Sequence, residues 1–257
     1  PIGKNASYFI HHFGNKPEGR MDHNSKYIGN GNKVFDFRFL CQKFEDHNYK
    51  WEVDFNTLQK IDCCTYLEKA DNYNIVYQPW GTNLLPSEID FNDILIPRSN
   101  KIYFTGTIDD NTHHSVIEDG KLDNYGRIMR FKKACDENDI EFVINDTRKH
   151  PLTEEEYKRI NQSSFLSPDI RNMHKKEVGY VPCRVFKSIS YGNLGMTDTL
   201  ETYNFFNKLV AYHDEPYFLF YEGLKHRKNL NMIKEAMELV KNNHTYVNRI
   251  NTLAKLL

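Results

Sequence analysis

Apolar and polar positions follow two alternating periods along the first 80 residues, which predicts strands and helices in turn. Residues 7–13 form a largely apolar run that is typical of a buried strand, and residues 51–55 alternate as a half-buried strand does. Residues 34–45 and 57–69 carry apolar side chains at helical spacing, and residues 74–77 form a second short apolar run. The order strand, helix, strand, helix, strand favours a parallel α/β sheet.

The same alternation restarts after an irregular stretch. Two prolines and a glycine interrupt residues 78–88, and we place a domain boundary near residue 95. The first domain is therefore predicted to span residues 1–95 and the second residues 96–257. In the second domain the pattern predicts strands at 101–105, 140–144 and 164–166, helices at 125–138, 153–161 and 185–191, and a mostly helical end.

The charge of the chain is nearly balanced, with 34 Lys and Arg against 35 Asp and Glu and a net charge of -1. Nucleic-acid-binding domains usually carry a basic surplus, so we expect no nucleic-acid partner. No apolar run approaches the ~20 residues of a membrane-spanning helix, so we expect no membrane span. The five cysteines lack the Cys-x-x-Cys spacing of metal and redox sites, which indicates buried thiols in a reducing, cytoplasmic compartment.

Motifs for several cofactors are missing from the sequence. It contains neither a P-loop nor a Gly-x-Gly-x-x-Gly after a strand, so we expect neither a nucleoside triphosphatase nor a dinucleotide cofactor. It also lacks an Asp-x-Asp that would bridge a diphosphate through a metal. The histidine pairs at 11–12 and 113–114 do not have the i, i+4 spacing of a helical metal site. We therefore expect no metal and no cofactor.

Ligands of parallel α/β sheets bind at the carboxyl ends of the strands, so polar residues at those positions are candidates for a site. Gly106 and Thr107 follow the first strand of the second domain, where a glycine lets a ligand approach the backbone. Arg127 and Arg130 lie near the start of the next helix, whose N-terminus also favours an anion. The alternatives are an ordinary turn glycine and a solvated basic face.

Basic, hydroxyl and helix-terminating residues are densest between residues 179 and 198. Arg184 and Lys187 lie three residues apart, on one turn of a helix that is predicted to begin near Pro182 and to end at Gly192. The hydroxyl side chains that follow are Ser190, Tyr191 and Thr197. Such a segment can hold a diphosphate with its helix N-terminus and its two basic side chains. A short surface helix with two basic residues is the alternative.

This segment resembles the donor-site motif of GT-B glycosyltransferases, in particular the exostosin-like ones, which carry Ser-Pro-Arg-Leu-Phe-Glu-Ala-Ile before a glycine. The matching residues are Pro182, Arg184, Phe186, Ile189 and Gly192. Lys187 stands where the family commonly has a glutamate that holds the donor ribose. Residues 163–168, which include Ser167, resemble the strand that carries the base pocket, and residues 77–86 resemble glycosyltransferases of large DNA viruses.

The resemblance covers about residues 75–205 and implies the GT-B fold, with two Rossmann-like domains facing a cleft and C-terminal helices. It implies an inverting, metal-independent transfer of a sugar from a nucleotide sugar to a glycan, such as the N-glycan of a viral glycoprotein in the host cytoplasm. UDP-xylose is the expected donor and GDP-fucose the alternative. The expected donor-binding residues are Gly106, Thr107, Arg127, Arg130, Ser167, Pro182, Arg184, Lys187, Tyr191 and Thr197. A silent carbohydrate- or nucleotide-binding protein of the same fold stays open, because Lys187 departs from the family pattern.

Inverting transfer needs a base that takes the proton of the acceptor hydroxyl, and the resemblance places this base in the first domain. Asp54, near the end of the second predicted strand, is the first candidate. Asp22 in the polar loop 14–32 and His12 at the end of the first strand are the others. Each is also compatible with an ordinary surface or capping residue. The residues expected to face an acceptor glycan are Arg20, Tyr27 and Trp80.

Overall fold

The computed structural model describes residues 5–11, 29, 31–41, 43–46, 49–70, 72–108, 116–117, 121–122 and 124–257. The chain divides into two compact units, which we call the first unit (Pro1–Trp80 with Asn248–Leu257) and the second unit (Gly81–Val247). The boundary between the units follows Trp80, whereas the sequence predicted it near residue 95. The C-terminal residues 248–257 return to the first unit. Among the described residues, no helix combines the length and the apolar character that crossing a membrane requires.

The first unit contains a five-stranded mixed sheet and a separate hairpin. The strands are β1 (Ser7–His11), β2 (Lys33–Phe39), β3 (Lys43–Asp46), β4 (Tyr49–Glu52), β5 (Gln59–Lys60), β6 (Tyr66–Lys69) and β7 (Asn74–Gln78). The sheet has the order β1-β2-β7-β6-β5, in which β1, β2 and β7 are parallel and β6 and β5 are antiparallel to their neighbours. The hairpin consists of β3 and β4. The five-stranded sheet therefore has mixed strand directions, whereas the sequence predicted a parallel sheet.

The two helices predicted at residues 34–45 and 57–69 are wrong. Apolar residues in the first segment fit both periods, and its aromatic and β-branched side chains favour a strand. Asp36 and Arg38 then lie two residues apart on one buried face, where Nε and Nη2 of Arg38 lie 3.1 and 3.0 Å from Oδ2 of Asp36. In the second segment, Asp62 accepts the backbone N–H groups of Cys64 and Thr65 and fixes a turn. The described residues between 29 and 80 contain no α-helix.

The second unit contains two parallel sheets that meet edge to edge. Its strands are β8 (Lys101–Gly106), β9 (Val116–Ile117), β10 (Lys121–Leu122), β11 (Glu141–Asp146), β12 (Ser167–Asp169), β13 (Gly195–Thr197) and β14 (Ala211–Tyr212). One sheet pairs β11 with β8, and the other has the order β12-β13-β14. The backbone N–H of Phe165 donates to the carbonyl of Lys101 at 2.8 Å, which joins the segment before β12 to β8. The combined order is β11-β8-β12-β13-β14.

Helices connect consecutive parallel strands of the second unit. They are α1 (Asn124–Asp136), α2 (Glu154–Ser163), α3 (Met173–Glu177), α4 (Cys183–Ser190) and α5 (Leu200–Phe205). Three more helices follow β14: α6 (Pro216–His226), α7 (Leu230–Asn243) and α8 (Tyr246–Ala254), of which α8 continues into the first unit. The predicted strand–helix alternation of this half is confirmed, although the strand expected at 164–166 lies at Ser167–Asp169. The molecule is therefore of mixed α/β type.

Local chemistry explains why α2 begins where it does. Thr153 accepts the backbone N–H of Glu156 through its hydroxyl, and the Glu156 carboxylate accepts the backbone N–H of Thr153 in return, which is a capping box. Three glutamates occupy the first turn, where the helix dipole stabilises negative charge. The core of this unit lies between the strands and the helices and includes Phe104, Ile128, Phe131, Phe186, Met196 and Phe220.

Candidate functional site

The strand order of the second unit defines where a ligand can bind. If the parallel strands β8, β11, β12, β13 and β14 are numbered 1 to 5 along the chain, their order in space is 2-1-3-4-5. This is the order of one common type of doubly wound sheet. The winding direction reverses between β8 and β12. Ligands of such sheets bind in the crevice at the carboxyl ends of the strands at this reversal. Gly106 ends β8 and Asp169 ends β12, so they mark the switch point of the second unit.

Arg184 reaches the switch point from the first turn of α4. Pro182 precedes that helix in an extended conformation and sets its start. The guanidinium carbon of Arg184 lies 4.3 Å from the centroid of the Phe104 ring, a cation–π contact that fixes the side chain over β8. A Cβ atom on residue 106 would overlap Nη2 of Arg184. Gly106 therefore makes room for the arginine against the strand backbone, and the two predicted donor-site residues meet in space.

Two guanidinium groups share one buried carboxylate at this point. Nη2 of Arg171 lies 2.7 Å from Oδ1 of Asp169, and Nη1 of Arg184 lies 3.6 Å from the same oxygen. Asp169 is 1% exposed. Because one negative charge faces two positive charges, the cluster keeps one uncompensated positive charge.

The pKa values of the two arginines reflect this crowding. Burial lowers the pKa of Arg184, the neighbouring guanidinium of Arg171 lowers it further, and Asp169 acts in the opposite direction. Burial also works against the charge of Arg171, but Asp169, Tyr180 and Cys183 together outweigh it and raise the pKa of that arginine. Arginine stays protonated even when its pKa falls moderately, so both side chains are cations.

Both arginines keep unused hydrogen-bond donors. Nη1 of Arg184 and Nε of Arg171 are buried and have no hydrogen-bond partner among the described residues. A buried donor without a partner costs about 1–3 kcal/mol, and more when it is charged. An anion with several oxygens would satisfy these donors and neutralise the excess charge, which is the arrangement by which arginine binds phosphate.

A second buried ion pair holds the backbone beneath the cluster. Nε and Nη2 of Arg127 lie 3.1 and 2.8 Å from Oδ2 of Asp198, and Nη2 also donates to the carbonyl of Asp214 at 2.7 Å. Asp198 accepts the backbone N–H of Arg171 as well. Burial raises the pKa of Asp198, and Arg127 opposes that shift. These contacts favour a supporting position for Arg127, which the sequence analysis expected to bind the donor.

Three other predicted donor-binding residues of the second unit have different partners, two of them on helices and Tyr191 directly after α4. Arg130 is exposed, and its Nη1 lies 2.7 Å from Oε2 of Glu215. Lys187 places its ammonium group 2.8 Å from both carboxylate oxygens of Glu154 and 5.1 Å from the ring centroid of Tyr157. The hydroxyl of the buried Tyr191 donates to Asn83 at 3.3 Å.

The remaining donor candidates lie at or beside strand ends. Thr197 is buried, with its hydroxyl 3.5 Å from Oδ2 of Asp169. Ser167 accepts a hydrogen bond from the amide of Asn193 at 2.9 Å. Thr107 follows β8 and accepts the side-chain amide of Asn124 through its carbonyl. The switch point thus brings Gly106, Arg184 and Thr197 together.

The predicted base and acceptor residues belong to the first unit. Asp54 is exposed and caps a short 3₁₀ turn, where it accepts the backbone and side-chain N–H groups of Asn56 at 3.0 Å. It follows β4, a strand of the antiparallel hairpin, so its expected place at the end of a parallel strand is wrong. Trp80 is half-buried and stacks on Phe39 with ring centroids 4.3 Å apart. Four candidates lie outside the described residues: His12, Arg20, Asp22 and Tyr27.

Sequence reasoning missed Asp169, Arg171 and Asp198. The first two had a signal in the sequence, because an acidic residue followed by an arginine two positions later stands directly after Ser167-Pro168. The predicted strand at 164–166 ends before these residues, so they were not considered as residues at the carboxyl end of a strand. A boundary shifted by three residues would have placed Asp169 at the carboxyl end of β12.

Comparisons with family models, with curated proteins and with solved structures gave no match to this chain.

Proposed function

We propose that this chain is a glycosyltransferase that uses a nucleotide sugar, and that Arg184 and Arg171 hold the diphosphate of the donor. The observation that carries the proposal is the position of Arg184. Its guanidinium lies on Phe104 and over Gly106 at the switch point, with a buried N–H that has no partner among the described residues. Sheets of this order bind nucleotides at this point, and a diphosphate offers the oxygens that the two arginines lack.

The chemistry of transfer explains why two cations are useful there. Breaking the bond between the sugar and the diphosphate leaves negative charge on the leaving phosphate oxygen. Preorganised guanidinium groups stabilise that charge as it develops, which lowers the barrier of the reaction. Inversion at the sugar carbon then requires a base for the acceptor hydroxyl, and Asp54, Asp22 and His12 stay predictions for this role.

The proposal has three finer parts: the GT-B arrangement, the donor and a glycan acceptor. The donor that we propose is UDP-xylose, and GDP-fucose is the alternative. The parallel order of the second unit supports a Rossmann-like donor domain. The first unit departs from that pattern, because β5 and β6 run antiparallel to their neighbours.

A silent nucleotide-binding protein of the same fold is the second candidate. One contact favours it: Lys187 occupies the position of the ribose-binding glutamate of the family, and its ammonium group is paired with Glu154. A donor-hydrolysis assay over a panel of UDP- and GDP-sugars separates the two. A transferase releases sugar and free nucleotide, whereas a binding protein shows a ligand-dependent rise in melting temperature without release.

We expect the activity to persist in the presence of EDTA. The expectation follows from the missing Asp-x-Asp and from the two arginines, which supply positive charge at the leaving group without a metal. The measurement is sugar release with excess EDTA and with added magnesium or manganese. A loss of activity in EDTA that either metal restores contradicts this part of the proposal.

Gly106→Ala is expected to weaken nucleotide binding with little loss of stability. The added Cβ would overlap Nη2 of Arg184, and a shift of that guanidinium relieves its repulsion with Arg171. The arginine then leaves the place where it would bind a phosphate. Titration of UDP and thermal unfolding of the variant measure the two effects.

A double-mutant cycle sharpens that test. If Gly106 acts by positioning Arg184, the variant that combines Gly106→Ala with Arg184→Ala binds no more weakly than Arg184→Ala alone. Additive losses would show that residue 106 affects the ligand by another route.

A further inference from the structure

Two consecutive cysteines form a close thiol pair in the first unit, whereas the residues assigned to the donor belong to the second unit. Cys63 and Cys64 lie in the loop that joins β5 to β6, with their sulfur atoms 3.6 Å apart. Cys63 is exposed and Cys64 is buried. Asp62 fixes the turn by accepting the backbone N–H groups of Cys64 at 2.8 Å and Thr65 at 2.7 Å. The turn therefore holds one thiol at the surface and the other directly behind it.

The charges around the pair favour a thiolate on Cys63. The hydrogen bond between the two thiols lowers the pKa of Cys63 to about 7, against burial and the charge of Asp62. The charges of Arg249 and Lys60 also lower it. Nη1 of Arg249 lies 3.2 Å from the sulfur of Cys64. The same hydrogen bond and burial raise the pKa of Cys64. Cys63, which is the exposed member of the pair, is thus also its more acidic thiol.

The other three cysteines lack this combination. Cys41 and Cys135 are buried, and Cys183 is half-buried. Burial raises the pKa of Cys135 to about 12. Oxidation follows thiolate character and exposure, so it selects Cys63 among the five.

We propose that Cys63 and Cys64 form a peroxide-reactive dithiol that closes reversibly into a vicinal disulfide. In the first step the Cys63 thiolate attacks a hydroperoxide, the O–O bond breaks, and a sulfenic acid and, after proton uptake, water or an alcohol form. In the second step the Cys64 sulfur attacks the sulfenic sulfur, the S–O bond breaks, and water leaves. The pair loses two electrons and two protons, and the peroxide is reduced.

The geometry makes this bridge easy to reopen. Consecutive Cα atoms lie about 3.8 Å apart across a trans peptide, whereas disulfides usually join Cα atoms about 4.4–6.8 Å apart. A vicinal bridge is therefore strained, and strained disulfides are the more readily reduced ones. Two molecules of a small thiol restore the dithiol and leave as their own disulfide. The proposal is independent of the glycosyltransferase assignment.

Alkylation of Cys63 should show the lowered pKa directly. Because Cys64, Arg249 and Lys60 favour the thiolate and Asp62 disfavours it, the rate of iodoacetamide labelling should reach half its maximum near pH 7. Labelling that begins to rise only near pH 9, the range of an ordinary thiol, contradicts an activated Cys63.

Peptide mass spectrometry after peroxide treatment tests the proposal itself. Trypsin cleaves after Lys60 and Lys69, so one peptide carries both cysteines. In the wild-type chain, one equivalent of hydrogen peroxide should remove two hydrogen masses from that peptide, and dithiothreitol should restore them. Dimedone, which traps sulfenic acids, should label Cys63 weakly in the wild type and strongly in Cys64→Ser. Cys183→Ser is the matched control and should behave as the wild type.

Two results overturn the proposal. One is a wild-type peptide that keeps both thiols while Cys183 or another cysteine is oxidised. The other is dimedone labelling of Cys63 that is equal in the wild type and in Cys64→Ser. If Cys64→Ser fails to fold, as judged by circular dichroism, the mass of the wild-type peptide alone decides between a bridge and two free thiols.

Discussion

Arg184→Ala is expected to slow sugar transfer by ~10²–10³-fold, the usual cost of removing one donor from a site that stabilises developing negative charge. The guanidinium is held over Gly106 by Phe104, and its loss removes one of the two guanidinium groups that we propose hold the diphosphate. The fold should survive, because the substitution also relieves the repulsion between two neighbouring arginines. The measurement is the transfer rate at saturating acceptor, together with thermal unfolding.

Arg130→Ala is the matched control for this experiment. Arg130 is also an arginine of the second unit, but it is exposed and paired with Glu215. Its removal should leave the transfer rate within a factor of about two. A second variant, Arg184→Lys, keeps the charge and loses the planar pair of donors, so it should recover only part of the rate. Near-wild-type turnover in Arg184→Ala would refute the donor-site assignment.

Asp198→Ala is expected to lower the free energy of unfolding by about 3–5 kcal/mol, since it leaves a buried charge without its partner. Arg127 would lose two hydrogen bonds to Asp198, and the backbone N–H of Arg171 would lose its acceptor. A loss of this size is a large share of the ~5–15 kcal/mol that stabilises a typical domain. Urea denaturation followed by circular dichroism measures it.

Asp136→Ala is the control for the second prediction. Asp136 pairs with Lys132 one helical turn away on the surface of α1, and such exposed pairs contribute less than about 1 kcal/mol. A loss in Asp198→Ala no larger than in Asp136→Ala would show that the buried pair does not hold this part of the second unit together.

The second unit could be predicted from the sequence because its elements carry local signals. Thr153 and Glu156 mark the start of α2, and the apolar residues of α1 recur at helical spacing. The strand order 2-1-3-4-5 could not be predicted, since it depends on contacts such as that between Phe165 and Lys101, which are far apart in the sequence.

The first unit could not be predicted because its signals are ambiguous. Val34 and Phe35 fit a helical stripe as well as a strand, and nothing local shows that Asp36 and Arg38 pair on one buried face. In residues 57–69 the turn at Asp62 breaks an apolar pattern that otherwise suits a helix. Tertiary pairing decided between strand and helix in both segments.

The site was predictable only in its separate parts. Gly106 and Arg184 were each selected by local patterns, a glycine at a strand end and an arginine at a helix start. The fit of one against the other depends on the crossing of α4 and β8. The partners Asp169 and Arg171 follow β12, a strand of three residues whose exact place no periodic pattern reveals.

Calorimetric titration of UDP and of GDP into the wild-type chain and into Arg184→Ala, both in EDTA, tests the central claim most directly. The claim is that the switch point of the second unit binds a nucleoside diphosphate through its arginines. The account predicts one site per wild-type chain for at least one of the two nucleotides. It also predicts an affinity about 10- to 100-fold weaker in Arg184→Ala, the value of a charge-assisted contact. Equal affinity of the two proteins, or no binding of either nucleotide to the wild type, would contradict it.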